Sequence, residues 1–139
     1  VRNKNGGNEN KILSDMGWEL YPEAIYHVLT DACERYNLPI IITENGLADA
    51  EDTRRGWFIC ETLKWVHKAI TNGVQVFGYL HWSLIDNFEW TYGFWPRFGL
   101  IKIDYANNLK REIRSSALLY ASICQENAIT ENHILKFQI

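Results

Sequence analysis

The sequence predicts an α/β fold with parallel strands, and three observations carry that reading. Pro39-Ile40-Ile41-Ile42-Thr43 is short, β-branched and apolar on both alternating faces, as in a parallel strand covered on both sides. Val74 to His81 is a second apolar and aromatic run, separated from the first by a helical pattern. The order along the chain is α-β-α-β-α, with no repeat and no low-complexity linker. Two parallel strands cannot by themselves form a stable sheet buried on both faces. Residues 1–139 are therefore expected to be a single incomplete domain, the end of a larger α/β fold.

Residues 1–17 are polar and rich in Asn and Gly, and read as loop. Pro22 has the fixed φ of a first helical position and opens a helix to about Tyr36, with Ile25, Leu29, Ala32 and Tyr36 as its buried stripe. The strand Pro39–Thr43 follows. Asn45-Gly46 is a strong turn signal, so Glu44 stands at the carboxyl end of that strand. After a polar loop, Leu47 to Arg55, a second helix spans Gly56 to Thr71 on Ile59, Leu63, Val66 and Ile70, with Gly73 as its stop. The second strand leads into a long loop, Ser83 to Phe98, and a short extended segment around Leu100–Asp104. A last helix, Ser115 to Glu126, turns Leu118, Leu119 and Ile123 inward, and the tail from Ala128 is expected to be extended.

Composition narrows the function classes. With 139 residues, 47% hydrophobic content and a formal net charge of -3, the chain suits one globular core. There is no basic stripe, so nucleic acid is not an expected partner. No run approaches a membrane span and Val1-Arg2-Asn3-Lys4 begins no secretory signal, so no membrane partner is expected. Cys33, Cys60 and Cys124 are odd in number and lie on helical patterns, which favours buried free thiols in a reducing, cytoplasmic setting. The four His form no ligand-spaced pair, so neither a metal nor a cofactor is expected. Six Trp is the oddity, because Trp82, Trp90 and Trp95 crowd one polar loop.

That loop and Glu44 carry the chemistry. In parallel α/β folds the carboxyl ends of the strands are where side chains meet ligands. If the two strands are neighbours, Glu44 opens onto the same mouth as Trp82, Glu89 and Trp90. A pyranose stacks its apolar face on an indole and needs charge-assisted acceptors for its hydroxyls. Glu89 can accept two hydroxyl hydrogens and the Trp90 indole N–H can donate one. The competing reading makes Trp82 and Trp90 core residues and Glu89 a solvated loop acid.

The motifs Ile42-Thr43-Glu44-Asn45-Gly46, Tyr79-Leu80-His81-Trp82-Ser83-Leu84, Asp86-Asn87, Glu89-Trp90, Gly93-Phe94 and Arg97-Phe98-Gly99-Leu100 resemble glycoside hydrolase family 1. Gly17-Trp18-Glu19-Leu20-Tyr21-Pro22-Glu23 and Arg114-Ser115-Ser116-Ala117 fit it too, in register over nearly the whole chain. The resemblance implies the C-terminal part of a (β/α)8 TIM barrel: its last two strands and flanking helices, about its last third. It implies a retaining, exo-acting β-glycosidase of β-D-glucosides and β-D-galactosides, with Glu44 as nucleophile. Trp82 would floor the sugar site, Glu89 would hold O4 and O6, Trp90 would reach O3 or O4, and Phe98 would line the region near O6. The implied partners are a small β-glycoside or oligosaccharide and the missing N-terminal barrel portion.

The family's acid/base glutamate, in a Thr-x-Asn-Glu-Pro motif, has no counterpart, since Asn-Glu-Pro does not occur. Without a positioned proton donor an ordinary leaving group departs about 10²–10⁴-fold more slowly, so the isolated chain is expected to be inactive. Bare strand edges are expected to make it aggregation-prone. A 6-phospho-β-glycosidase is the rival within the family. Its members resemble one another in carrying Ser at the position of Glu89, and Lys and Tyr at those of Pro96 and Phe98. All three differ here, and a carboxylate at position 89 repels a phosphate dianion. A non-catalytic sugar-binding relic or an inactive fragment is the rival of another class. Binding alone does not require Glu44.

Overall fold

The computed structural model describes residues 11–138. The expected loop over residues 1–10 lies outside them. The elements are α1 (Ala24–Tyr36), β1 (Ile40–Asn45), α2 (Arg55–Thr71), β2 (Val76–His81), β3 (Ile101–Asp104), β4 (Lys110–Ile113), α3 (Ser115–Glu126) and α4 (Glu131–Lys136).

β1 and β2 pair in parallel, joined through α2, as a right-sized crossover requires. Ile40 lies opposite Val76, Ile42 opposite Tyr79 and Asn45 opposite His81, with irregularities on either side of the Ile41–Ile42 stretch. Two cores result. One gathers Leu29 of α1, Ile42 of β1, and Val66, Ala69 and Val74 from α2 and the turn after it. The other joins Ile59 and Cys60 of α2 to Leu100 and to Leu119 and Ile123 of α3. The two-stranded sheet closes no barrel among the described residues, and Ile41, Phe77 and Leu80 are left exposed on it.

Several expectations are corrected. Tyr36 is 70% exposed, because the last turn of α1 runs past both core clusters; Cys33 takes the inward place instead. Ile70 and Leu118 are also exposed, while Ala69 and Leu119 face the cores: each pair differs by one residue, about 100° of helix rotation. Cys124, next to the buried Ile123, is exposed for the same reason; all three cysteines are free. Beyond the short extended segment, the chain folds back as an antiparallel β3–β4 hairpin pairing Ile101 with Ile113. Its turn is held by the Asp104 carboxylate, which accepts the N–H groups of Ala106 and Asn107, both at 3.1 Å.

The tail is not extended. Thr130 caps α4 in a reciprocal arrangement in which the His133 ring nitrogen accepts the Thr130 N–H at 3.1 Å. The helix then seats Phe137 over Gly56 at the start of α2, where a Cβ would come within 2.0 Å of the ring. No helix among the described residues is long and apolar enough to cross a membrane.

Candidate active site

Glu44 is the penultimate residue of β1, and its side chain is exposed. Among the described residues no hydrogen bond or ion pair engages its carboxylate, which leaves both oxygens open to a ligand. Its neighbour Asn45 does the structural task instead. The Asn45 carbonyl accepts the N–H of Trp82 at 2.9 Å, and its side-chain oxygen accepts the Tyr79 hydroxyl at 2.9 Å. These bonds bring the ends of β1 and β2 together, so Glu44 and Trp82 stand on adjacent strand ends.

Trp82 leaves β2 with 36% of its surface exposed, through a cis peptide bond to Ser83. The loop that follows is closed by backbone bonds: Ser83 N–H to the Phe98 carbonyl at 3.2 Å, and Leu100 N–H to the Ser83 carbonyl at 2.8 Å. At its tip Glu89 precedes a single 3-10 turn, Trp90–Tyr92, and bonds to Gly93 through its N–H at 2.7 Å. Glu89 is half-buried. Trp90 is 80% exposed, so the reading of Trp90 as core does not hold in this structure. Phe98 differs from the others. It is only 3% exposed and its ring lies 6.1 Å from that of Trp18, a packed position at the base of the loop.

Beneath the strand ends, His81 is buried. Burial and the Arg55 guanidinium hold its pKa down to about 3, so the ring is neutral, and its Nε2 has no partner among the described residues. Asp49 and Arg55 are fully buried in the loop after β1 and the first turn of α2. Burial raises the Asp49 pKa, but the N–H groups of Arg54 and Arg55 and the Arg54 guanidinium outweigh it and hold the carboxylate below its usual range. Asp49 and Arg55 were not singled out from sequence, and Asp86 and Arg114 stood there only within motifs, with no role attached. The legible signal was a set of charges in short segments adjoining apolar elements. Among the described residues no group of three or more His, Cys, Asp or Glu forms a metal site.

An exposed carboxylate at a parallel strand end, next to a strand that runs out into an indole, belongs to an α/β protein of the kind whose strand ends meet ligands. The sequence profile of glycosyl hydrolase family 1 matches residues 2–129, and the chain belongs to that family. It is 49% identical over 118 residues to a β-galactosidase of Saccharolobus solfataricus, covering 85% of this chain and 24% of that protein. It is 48% identical over 122 residues to a β-galactosidase of Sulfolobus acidocaldarius, covering 88% and 25%. The crystal structure of a hyperthermophilic β-glucosidase from Pyrococcus furiosus superposes with a TM-score of 0.88 at 44% identity, over 91% of this chain and 27% of that one. The chain thus spans about a quarter of the length of the curated relatives it matches. Its fold is part of the family's (β/α)8 barrel. α4 lies beyond the matched residues.

Proposed function

We propose that this chain supplies the nucleophile and one wall of the sugar site of a retaining exo-β-glycosidase acting on O-glycosyl bonds of β-D-glucosides and β-D-galactosides. The observation that carries this reading is Glu44: a carboxylate without a partner among the described residues, at a strand end and one residue from the bond that docks Trp82 on the adjacent strand end. In a retaining reaction an ionised carboxylate attacks the anomeric carbon while a second, protonated carboxyl about 5–5.5 Å away protonates the departing oxygen. The glycosyl ester on Glu44 is then opened by water, with the second group acting as base. Trp82 stacks on the sugar ring, Glu89 holds O4 and O6, and Trp90 donates to O3 or O4. Phe98 supports the O6 side from below, a role in keeping with its buried position.

The second carboxyl belongs to the portion of the barrel that this chain does not span, so the chain alone is inactive in this reading. The partners are then the β-glycoside and that complementary portion. The exposed Ile41, Phe77 and Leu80 are the surface such a portion would cover. The cytoplasm is the compartment we infer, because three free thiols suit a reducing environment and burial pushes the Cys60 thiol up to about 11.

The test is intact mass after incubation with a 2-deoxy-2-fluoro-β-glucoside bearing a dinitrophenolate leaving group, which departs with little acid help. A gain of one fluorosugar mapping to Glu44, in the chain or in a family-length enzyme containing it, supports the reading. A family-length enzyme that turns over β-glycosides but labels elsewhere overturns the nucleophile assignment.

A further inference from the structure

Asp86 and Arg114 are buried charges that tie the Glu89 loop to the segment following Glu44. Their side chains are 0% and 5% exposed. Arg114, the residue before α3, donates through Nη1 to Oδ1 of Asp86 at 3.2 Å and to the Gly99 carbonyl at 2.8 Å. Through Nη2 it donates to the Ala50 carbonyl at 3.2 Å. Asp86 also accepts the N–H groups of Gly99 at 2.9 Å and Ile103 at 3.2 Å, and Nη1 of Arg97 at 3.5 Å. One guanidinium therefore touches the segment that follows Glu44, the arm of the loop leading to Glu89, and the arm returning from it.

Backbone bonds already close the loop, and two further bonds, from Asp49 N–H and Arg55 Nη2 to the Arg97 carbonyl at 3.0 and 2.8 Å, land on the returning arm. Only Arg114, among the described residues, reaches both arms and the Glu44 side together. A dry ion pair of this kind gives little net stability over apolar packing of equal volume. What it does give is one fixed geometry.

We propose that Asp86 and Arg114 are positioning residues for the reaction above: they set the Glu89–Trp90 loop at the distance from Glu44 that the sugar ring requires, without touching the sugar. The proposal rests on the β-glycosidase reading. A carboxylate that must take two hydroxyls at once is sensitive to displacement, and a shift of about 1 Å can cost about a hundredfold.

The experiment compares an aryl β-glucoside with the matching aryl β-xyloside, which lacks the C6 hydroxymethyl group, in a family-length enzyme containing this chain. Active sites are counted with the fluorosugar, so that misfolded protein drops out. Asp86→Asn keeps the shape but turns an amide donor either on Arg114 and the Gly99 N–H, which share Oδ1, or on Arg97 and the Ile103 N–H, which share Oδ2. The expected result is a fall of about tenfold in kcat/KM for the glucoside, carried mainly by KM, and of about twofold for the xyloside. In a Glu89→Gln background the same change should cost about twofold on either sugar. Equal losses on both sugars, or a full loss in the Glu89→Gln background, would overturn the proposal. Should Asp86→Asn fail to fold, Arg114→Lys keeps the charge but loses the fork to Ala50. It should shift the glucoside-to-xyloside ratio in the same direction, and an unchanged ratio overturns the idea. Unmodified enzyme that takes no label on Glu44 sinks the parent reading, whereas a labelled enzyme with an unmoved ratio sinks this one alone.

Discussion

Gly46 lies directly beneath the backbone of Trp82: a Cβ at position 46 would stand 1.7 Å from the Trp82 carbonyl oxygen. The bond from Trp82 N–H to the Asn45 carbonyl runs through the same junction. Asn45-Gly46 is thus a seam between two strand ends as well as a turn, and both Glu44 and Trp82 take their places from it.

Gly46→Ala should open that seam, since the clash is with backbone and no side chain can swing aside. A loss of about 1–3 kcal/mol is expected, in the range of overpacking into a filled space. Urea denaturation reads it as a lowered midpoint. A change in unfolding free energy of less than about 0.5 kcal/mol would mean that the strand ends separate freely.

Glu44→Gln removes a charge that no described group engages. Stability should therefore change by less than about 0.5 kcal/mol, while fluorosugar labelling of a family-length enzyme should disappear. Retained labelling in mass spectra of the variant would transfer the nucleophile to another residue.

His81 predicts a pH dependence of stability. Its folded pKa, about 3, lies below the ordinary value of 6.5, because burial and Arg55 oppose the charged ring. Below pH 6.5 the unfolded chain binds a proton that the folded chain refuses, so stability falls as pH falls, at most by about 1.4 kcal/mol per unit. Above pH 6.5 the group contributes no slope. Unfolding midpoints compared between pH 6.5 and pH 5, above the carboxylate range, should drop in the parent and drop less in His81→Gln. Parallel profiles for the two proteins would remove His81 as the cause.

Phe137→Ala should detach α4. The ring fills the space left by the absent Cβ of Gly56, and losing it forfeits about 1–2 kcal/mol of apolar burial. Amide exchange across residues 131–136 should accelerate while that of β1 and β2 stays unchanged. Protection lost throughout the chain would instead make α4 part of the main cooperative unit.

Much of this was legible from residue order. The parallel pairing of β1 with β2 follows from two doubly apolar runs separated by a helix, and α3 begins and ends where Leu119 and Ile123 require. Glu44 was readable because Asn-Gly marks a strand end, and Trp82 because it follows the second strand. The fine rotation of the helices was not legible: Tyr36, Ile70 and Leu118 share the apolar character of their inward neighbours, and hydropathy does not say which neighbour has something to pack against. α4 was missed because Thr130 caps it through a His in place of the usual Glu or Gln.

By itself the sequence determined the types of α1, β1, α2, β2 and α3, the parallel α/β class and the carboxylate at the strand end, because these depend on local periodicity and turn chemistry. The tertiary structure alone decided that Asp86 and Arg114 join loops separated in sequence, that Gly46 must admit the Trp82 backbone, and that Phe98 is packed while Trp90 stands in the open. Those facts depend on contacts between segments distant along the chain, which are settled only when the strands pair and the helices close over them.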